Sequence, residues 1–249
     1  MISIPGKTSR FWLNRTGGVL KPGPLVRMHT VHALKVSRFG FKNYAYVVVD
    51  DATRAAAVID PAWQPRPILE LLAREQTQVQ AVLLTHSHLD HVNLARMFAK
   101  RFSCPVYVGR AEAEFYGFSS SRLALLDHLS ELRIGATQAR ALWTPGHTAG
   151  GICYQFEGDL FTGDTLFAEG CGICSCEGGS AEAMFRSLNL IKESVPGETR
   201  VFPGHSYGKE PGQTLNQILQ TNIYFQFASV TDFVAFRMRP RQPSPFDFR

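Results

Sequence analysis

Seven side chains of metal-binding type stand in this sequence at spacings that suit a shared site. Four of them, His86, His88, Asp90 and His91, lie in the run Thr85-His86-Ser87-His88-Leu89-Asp90-His91, directly after the apolar Val82-Leu83-Leu84. On an extended turn His86 and His88 can point to one side, while Asp90 and His91, at a helix entrance, can turn toward a neighbouring point. Ligands this dense suit two adjacent ions better than one, because a closed tetrahedral zinc uses four ligands and leaves no place for water. His147, Asp164 and His205 complete the set, each directly preceded by a glycine: Thr144-Pro145-Gly146-His147, Phe161-Thr162-Gly163-Asp164 and Phe202-Pro203-Gly204-His205. Glycine there permits a tight turn and a close approach of the backbone to a metal. Divalent ions with an open position lower the pKa of water from ~15.7 toward ~7, so the chemistry indicated is metal-assisted hydrolysis.

The remaining chemistry-bearing residues carry less. His29, His32 and His128 stand alone and read as ordinary surface or core histidines. Cys171, Cys174 and Cys176 have the spacing C-x2-C-x-C, but no second Cys/His pair lies at zinc-finger distance, so they read as small packing residues in a Gly-rich loop. The five cysteines are an odd number in a chain large enough to fold without staples, which argues for reduced thiols. The formal charge of +5 is mild and has no dense basic run; its nearest approach is Arg237-Met238-Arg239-Pro240-Arg241. That speaks against a nucleic-acid partner and suits an anionic small substrate, or an acidic protein carrying one. No apolar run reaches the ~20 residues that span a bilayer. Met1 to Lys7 open no signal-peptide core, so the expected location is cytoplasmic.

The elements that must position these residues follow from hydrophobic pattern. Tyr44 to Val49 is rich in β-branched and aromatic residues and ends at Asp50-Asp51, and Ala55 to Pro61 follows as its antiparallel partner. Pro67 to Glu75 has helical period, Gln80 to Leu84 is a short buried strand, Leu94 to Phe102 a helix and Val106 to Val108 a strand. A polar helical stretch is expected around Glu112 to Leu132. Short strands follow at Leu142-Trp143, Ile152 to Phe156 and Asp159 to Thr162. Ala181 to Lys192 is a helix with Ser180 as N-cap and Glu182 in its first turn. Arg200 to Pro203 is a last strand, Thr214 to Gln220 opens another helix, and Arg239 to Arg249 is irregular. With 249 residues, 45% hydrophobic and 19% charged, this reads as a layered α/β protein. The expectation is one domain over 1–249 with a C-terminal extension at about 212–249.

The H-x-H-x-D-H signature with a later His, Asp and His resembles the metallo-β-lactamase superfamily, over roughly residues 30 to 210. The resemblance implies an αββα sandwich of four layers. It also implies that His86, His88 and His147 hold one metal, that Asp90, His91 and His205 hold the other, and that Asp164 bridges them. A bridging Asp argues against a true β-lactamase, whose common two-zinc form has Cys or His there. Phe161 to Phe167 followed by Gly170-Cys171-Gly172 is similar to the glyoxalase II group, which hydrolyses hydroxyacyl-glutathione thioesters. Two features depart from that group: Ile173 stands where it usually has Arg, and the segment after His205 is too short for its glutathione-binding helical domain. Gly170 to Ser180, with Gly204 to Glu210, is more similar to the zinc hydrolases of bacterial trans-acyltransferase polyketide assembly lines.

The implied activity is hydrolysis of acyl thioesters linked to an acyl carrier protein, pantetheine or glutathione. The cofactor would be two zinc ions per chain, with iron or manganese as alternatives. Asp90 would orient the attacking water as well as bind metal, and a thiolate leaves without a strong general acid. Tyr207 and Lys209 are the candidate substrate contacts. Tyr224-Phe225-Gln226-Phe227 could line an acyl or pantetheine channel, and equally could close a core edge. A lactonase, a phosphodiesterase or an iron persulfide dioxygenase of the same fold would use much the same ligands. A catalytically silent metal-binding partner in a complex is the non-enzyme alternative.

Overall fold

A run that stays apolar on successive residues must be buried on both faces of its sheet, and Tyr44 to Val49 behaves so in the computed structural model, which describes residues 27–38 and 40–240. The run lies in β2 (Phe41–Asp50), between β1 (His29–Arg38) and β3 (Ala55–Ile59), both antiparallel to it. Tyr44, Tyr46 and Val48 face one apolar cluster while Ala45, Val47 and Val49 face another. From β3 the sheet continues in parallel through β4 (Gln78–Leu83), β5 (Val106–Gly109) and β6 (Leu123–Leu126). Its crossovers are α1 (Pro65–Arg74), the pair α2 (Leu89–Val92) and α3 (Ala95–Phe102), and α4 (Arg110–Tyr116). On α1 the buried side chains Ile68, Leu71 and Leu72 recur at helical spacing, which is why this stretch is a helix lying on the sheet.

The second sheet also has six strands: β7 (Glu131–Ile134), β8 (Thr137–Trp143), β9 (Ile152–Phe156), β10 (Asp159–Gly163), β11 (Arg200–Pro203) and β12 (Gln213–Thr214), neighbours in that order. Only β10 and β11 pair in parallel, across α5 (Ala181–Ser194). Tyr154, Phe156, Phe161 and Phe202 meet Tyr46, Ile59 and Leu83 of the first sheet, forming the core between the sheets. A third cluster joins α5, α6 (Leu215–Thr221) and α7 (Val230–Arg237) to the outer face of the second sheet. Helices, sheet, sheet, helices: the expected four-layered αββα sandwich is observed.

Several boundaries differ from expectation. The helix expected from Glu112 to Leu132 stops at Tyr116, where Gly117 takes the left-handed φ of 65° and closes the last turn. The remainder supplies β6 and β7. The strand Arg200 to Pro203 is not the last, because β12 pairs beyond it. Ser180 does cap α5, its hydroxyl accepting from Ala183 N–H at 3.1 Å. Tyr224 and Phe227 pack their rings against Phe233 and Phe236 and thus close the outer core. Arg237, in the segment that comes nearest to a basic run, is buried; its Nε donates to the Gly172 carbonyl at 2.9 Å. Met1 to Lys7 and the tail beyond residue 240 lie outside the described residues.

Candidate metal centre

Parallel strands end at the same edge of a sheet, and the loops leaving their carboxyl ends are where open α/β sheets place ligands. Here β4 ends directly before Leu84-Thr85-His86, β10 ends at Gly163 before Asp164, and β11 ends at Pro203 before Gly204-His205. His147 follows β8, and Asp90 and His91 sit on α2. All seven predicted ligands come together. Their side-chain atoms form three overlapping groups, each within 4.8 Å: His86, His88 and His147; His86, His91 and Asp164; Asp90, His91 and His205.

The Asp164 carboxylate lies between the two outer groups. Its Oδ2 is 3.5 Å from His147 Nε2 and 3.4 Å from His205 Nε2, while Oδ1 is 3.5 Å from His91 Nε2. Asp90 Oδ2 lies 3.4 Å from His205 Nε2 and 3.6 Å from His91 Nε2. His88 Nδ1 and His147 Nε2 are 2.9 Å apart. The far ring nitrogens of two histidines are engaged elsewhere. His147 Nδ1 donates to the Ile173 carbonyl and His205 Nδ1 to the Lys42 carbonyl, both at 2.7 Å, which turns each Nε2 toward the centre.

Burial raises the pKa of both carboxylates, but the surrounding histidines and hydrogen bonds outweigh it, holding Asp90 and Asp164 well below the usual carboxylate range. Burial brings His147 down to about 4, against the pull of Asp164. At His91 burial also lowers the pKa, yet Asp90, Asp164 and Asp60 together lift it to about 9. Two largely buried carboxylates thus demand positive charge, which protons on His91 and His205 supply in the absence of a cation. Metal binding would displace those protons. His86 Nε2 and Asp164 Oδ1 are buried with no hydrogen-bond partner, an arrangement that costs free energy unless something electropositive meets them. The donor set of imidazoles and carboxylates fits divalent zinc.

The glycines before the ligands are required by contact. A Cβ on Gly163 would come within 2.2 Å of Thr85 Oγ1, and one on Gly204 within 2.5 Å of Asp164 Oδ1 and 2.6 Å of His91 Cε1. Of the threonines adjacent to ligands, Thr85 lies 3.1 Å from His86 Nδ1. Thr165 bonds Thr144 instead, and Thr148 Oγ1 is buried with no partner. Tyr207 packs on Phe167 at 5.4 Å between ring centroids and lies 6.4 Å from the His205 ring. Lys209 is exposed, its Nζ donating to Thr221 Oγ1 at 3.3 Å. Cys171 and Cys174 are buried in the outer core, where burial raises their thiol pKa values, while Cys176 Sγ donates to the His147 carbonyl at 3.0 Å.

Four residues around the centre were not singled out from sequence. Asp60 Oδ2 reaches His91 Nδ1 at 3.1 Å and the Thr85 hydroxyl at 2.6 Å. Glu112, fully buried on α4, accepts from Ser87 N–H and hydroxyl, both at 2.7 Å, and from Gly150 N–H at 3.0 Å. Asn43 donates to Asp90 Oδ2 at 2.8 Å and accepts from the Trp63 indole at 2.9 Å. Asp60 had a signal, an acidic residue ending the apolar run Val58-Ile59. The others had none in the local sequence.

A paired His/Asp centre at the strand ends of an αββα sandwich defines a class of metal-binding α/β proteins. The chain belongs to the metallo-β-lactamase superfamily, whose family model matches residues 38–205. It is 46% identical over 221 residues, 89% of this chain and 98% of the relative, to the "probable polyketide biosynthesis zinc-dependent hydrolase PksB" of Bacillus subtilis (strain 168). It is 39% identical over 183 residues, 72% of this chain and 68% of the relative, to a hydroxyacylglutathione hydrolase of Gloeobacter violaceus. The crystal structure of ETHE1 from Myxococcus xanthus superposes with a TM-score of 0.76 at 27% identity, covering 87% of this chain and 94% of that one. Both resemblances read from the motifs, to polyketide-associated zinc hydrolases and to glyoxalase II proteins, are borne out.

Proposed function

We propose that the protein is a dinuclear zinc hydrolase that cleaves acyl thioesters in polyketide biosynthesis, the acyl group arriving on an acyl carrier protein or on pantetheine. The observation that carries this reading is the Asp164 carboxylate set between the His147 and His205 imidazoles, with a three-residue ligand group on either side. His86, His88 and His147 would hold one ion, Asp90, His91 and His205 the other, and Asp164 both. Bound there, the ions would supply an acidified water and positive charge for a developing oxyanion.

The chain's own residues set the rest. Asp90 stays ionised among His91 and His205, so its free lone pairs can accept a hydrogen bond from the attacking water and orient it. A thiolate leaves without a protonated acid beside it, and no such acid is required. Tyr207 lies beside His205, on the flank where an acyl chain can lie against an aromatic ring. Lys209, two residues beyond Tyr207 at the exposed rim, and the net charge of +5 suit an acidic carrier protein. Among the described residues no helix is long and apolar enough to cross a membrane, and the five cysteines are free thiols. A cytoplasmic enzyme of one domain, its C-terminal segment packed as α6 and α7 on the second sheet, accords with this reading.

Metal content by plasma mass spectrometry, paired with hydrolysis of acyl-pantetheine and acyl-glutathione thioesters, tests the proposal. Two zincs per chain with preference for pantetheine support it. Faster turnover of the glutathione thioester would instead favour the glyoxalase II reading, which the Gloeobacter relative keeps in view. One iron, or no thioester turnover, would reject the activity while leaving the fold intact.

A further inference from the structure

We propose that Trp63 and Asn43 form a positioning pair that presets the Asp90 side of the centre by locking the orientation of one side-chain amide. The inference rests on the reading that Asp90, His91 and His205 hold a metal. Asn43 is 1% exposed, and its Nδ2 lies 2.8 Å from Asp90 Oδ2 and 3.4 Å from both His91 Nε2 and His205 Nε2. An amide could in principle face the ligands with either its oxygen or its nitrogen. The Trp63 indole, 2.9 Å from Asn43 Oδ1, decides between them because an indole N–H only donates. It must meet the oxygen, so the NH2 must face the ligand group. Reversed, the indole would confront a second donor and the Asp90 carboxylate a carbonyl oxygen, leaving both part-buried pairs repulsive.

Trp63 is itself held in an uncommon backbone conformation. Its φ is 59°, a left-handed value rare for a bulky aromatic residue, and strain of this kind persists only where the surroundings enforce it. The Trp63 backbone N–H donates to Asn93 Oδ1 at 2.9 Å. Asn93 is the C-cap of α2, the short helix that carries Asp90 and His91. The relay therefore leaves α2 at Asn93, passes through Trp63 and Asn43, and returns to α2 at Asp90. It fixes the carboxylate oxygen that faces His91 and His205, and it offers a donor that can orient a ligand but cannot itself bind a cation.

Stepwise zinc titration against a competing chelator, on the full chain and on Trp63→Phe, Asn43→Ala and the double variant, tests the pair. Trp63→Phe keeps an aromatic ring and removes the indole N–H together with the five-membered ring that carries it, a loss of bulk that is not confined to one ligand group. This variant is expected to weaken the zinc of the Asp90, His91 and His205 group by about 10-fold or more, the range for outer partners of metal ligands, and to leave the zinc of the His86, His88 and His147 group unchanged. The double variant is expected to weaken it no further than Asn43→Ala, since both act through one path. Equal affinities in Trp63→Phe and the wild type, or equal weakening of both zincs, would overturn the inference. A wild-type chain that takes up one zinc rejects the dinuclear reading instead. The pair is then judged in metal-free protein by hydrogen exchange of the Trp63 indole proton. Slow exchange in the wild type and fast exchange in Asn43→Ala support it; identical rates refute it.

Discussion

Asp60 and His91 stand 31 positions apart in sequence, yet Asp60 Oδ2 lies 3.1 Å from His91 Nδ1, with both side chains buried. The carboxylate also takes the Thr85 N–H at 2.8 Å and the Thr85 hydroxyl at 2.6 Å, so one acidic group at the end of β3 aligns the loop after β4 and an imidazole on α2. Asp60→Asn keeps the shape and removes the charge that orients His91. Zinc affinity is expected to fall about 10- to 100-fold, read as zinc lost on dialysis against a chelator. Wild-type retention would show that Asp60 shapes the loops without tuning the ligand.

Among the described residues, Asp164 is the one carboxylate within 3.5 Å of His91, His147 and His205 together. Asp164→Ala is expected to lose zinc and turnover in step, measured on the same preparation. Full activity with both zincs retained would overturn the bridging role proposed for it.

Glu112 ties the loop bearing His86 and His88 to the turn beyond His147 through three accepted hydrogen bonds. In Glu112→Gln an amide nitrogen replaces one acceptor oxygen and opposes at least one of those donors. The expected cost is about 1–3 kcal/mol, read as a lower urea midpoint for metal-free protein. An unshifted midpoint would mean that the two loops hold without the clamp.

Acid stability offers a test away from the metal. Asp50 is fully buried; burial raises its pKa, but hydrogen bonds from the Thr137 hydroxyl and from Thr53 outweigh this and bring it from 3.8 down to about 2. The unfolded chain therefore binds a proton that the folded chain refuses between those values. The contribution is complete above pH 4 and is lost as pH falls through about 2. It amounts to about 2 kcal/mol. Chemical denaturation of metal-free protein should show Thr137→Val, which removes one of these bonds, destabilised at pH 6, with the difference from wild type shrinking below pH 3. A constant difference across that range would assign the effect to packing.

Much of this molecule was legible in its sequence because the relevant physics is local. The short apolar run from Tyr44 to Val49, rich in β-branched and aromatic residues and closed by Asp50-Asp51, favours a strand covered on both faces, and Ser180 caps α5 through an interaction three residues long. The H-x-H-x-D-H run and the three Gly-preceded ligands are likewise short-range patterns, and each follows a strand or begins a helix as its sequence demands. The helix expected beyond Tyr116 failed on one local feature, Gly117 in the left-handed region, which released the chain into two strands. What only the tertiary structure decided is which residues stand behind the ligands. Asn43 lies near the start of β2, Trp63 lies in the loop after β3 and Glu112 lies on α4, and nothing in their neighbourhoods marks them. They reach the centre because parallel strands end at one edge of the sheet and β2, running antiparallel to β3, begins there. Hydrogen bonds between residues so distant in sequence depend on that packing, and composition and periodicity carry no record of it.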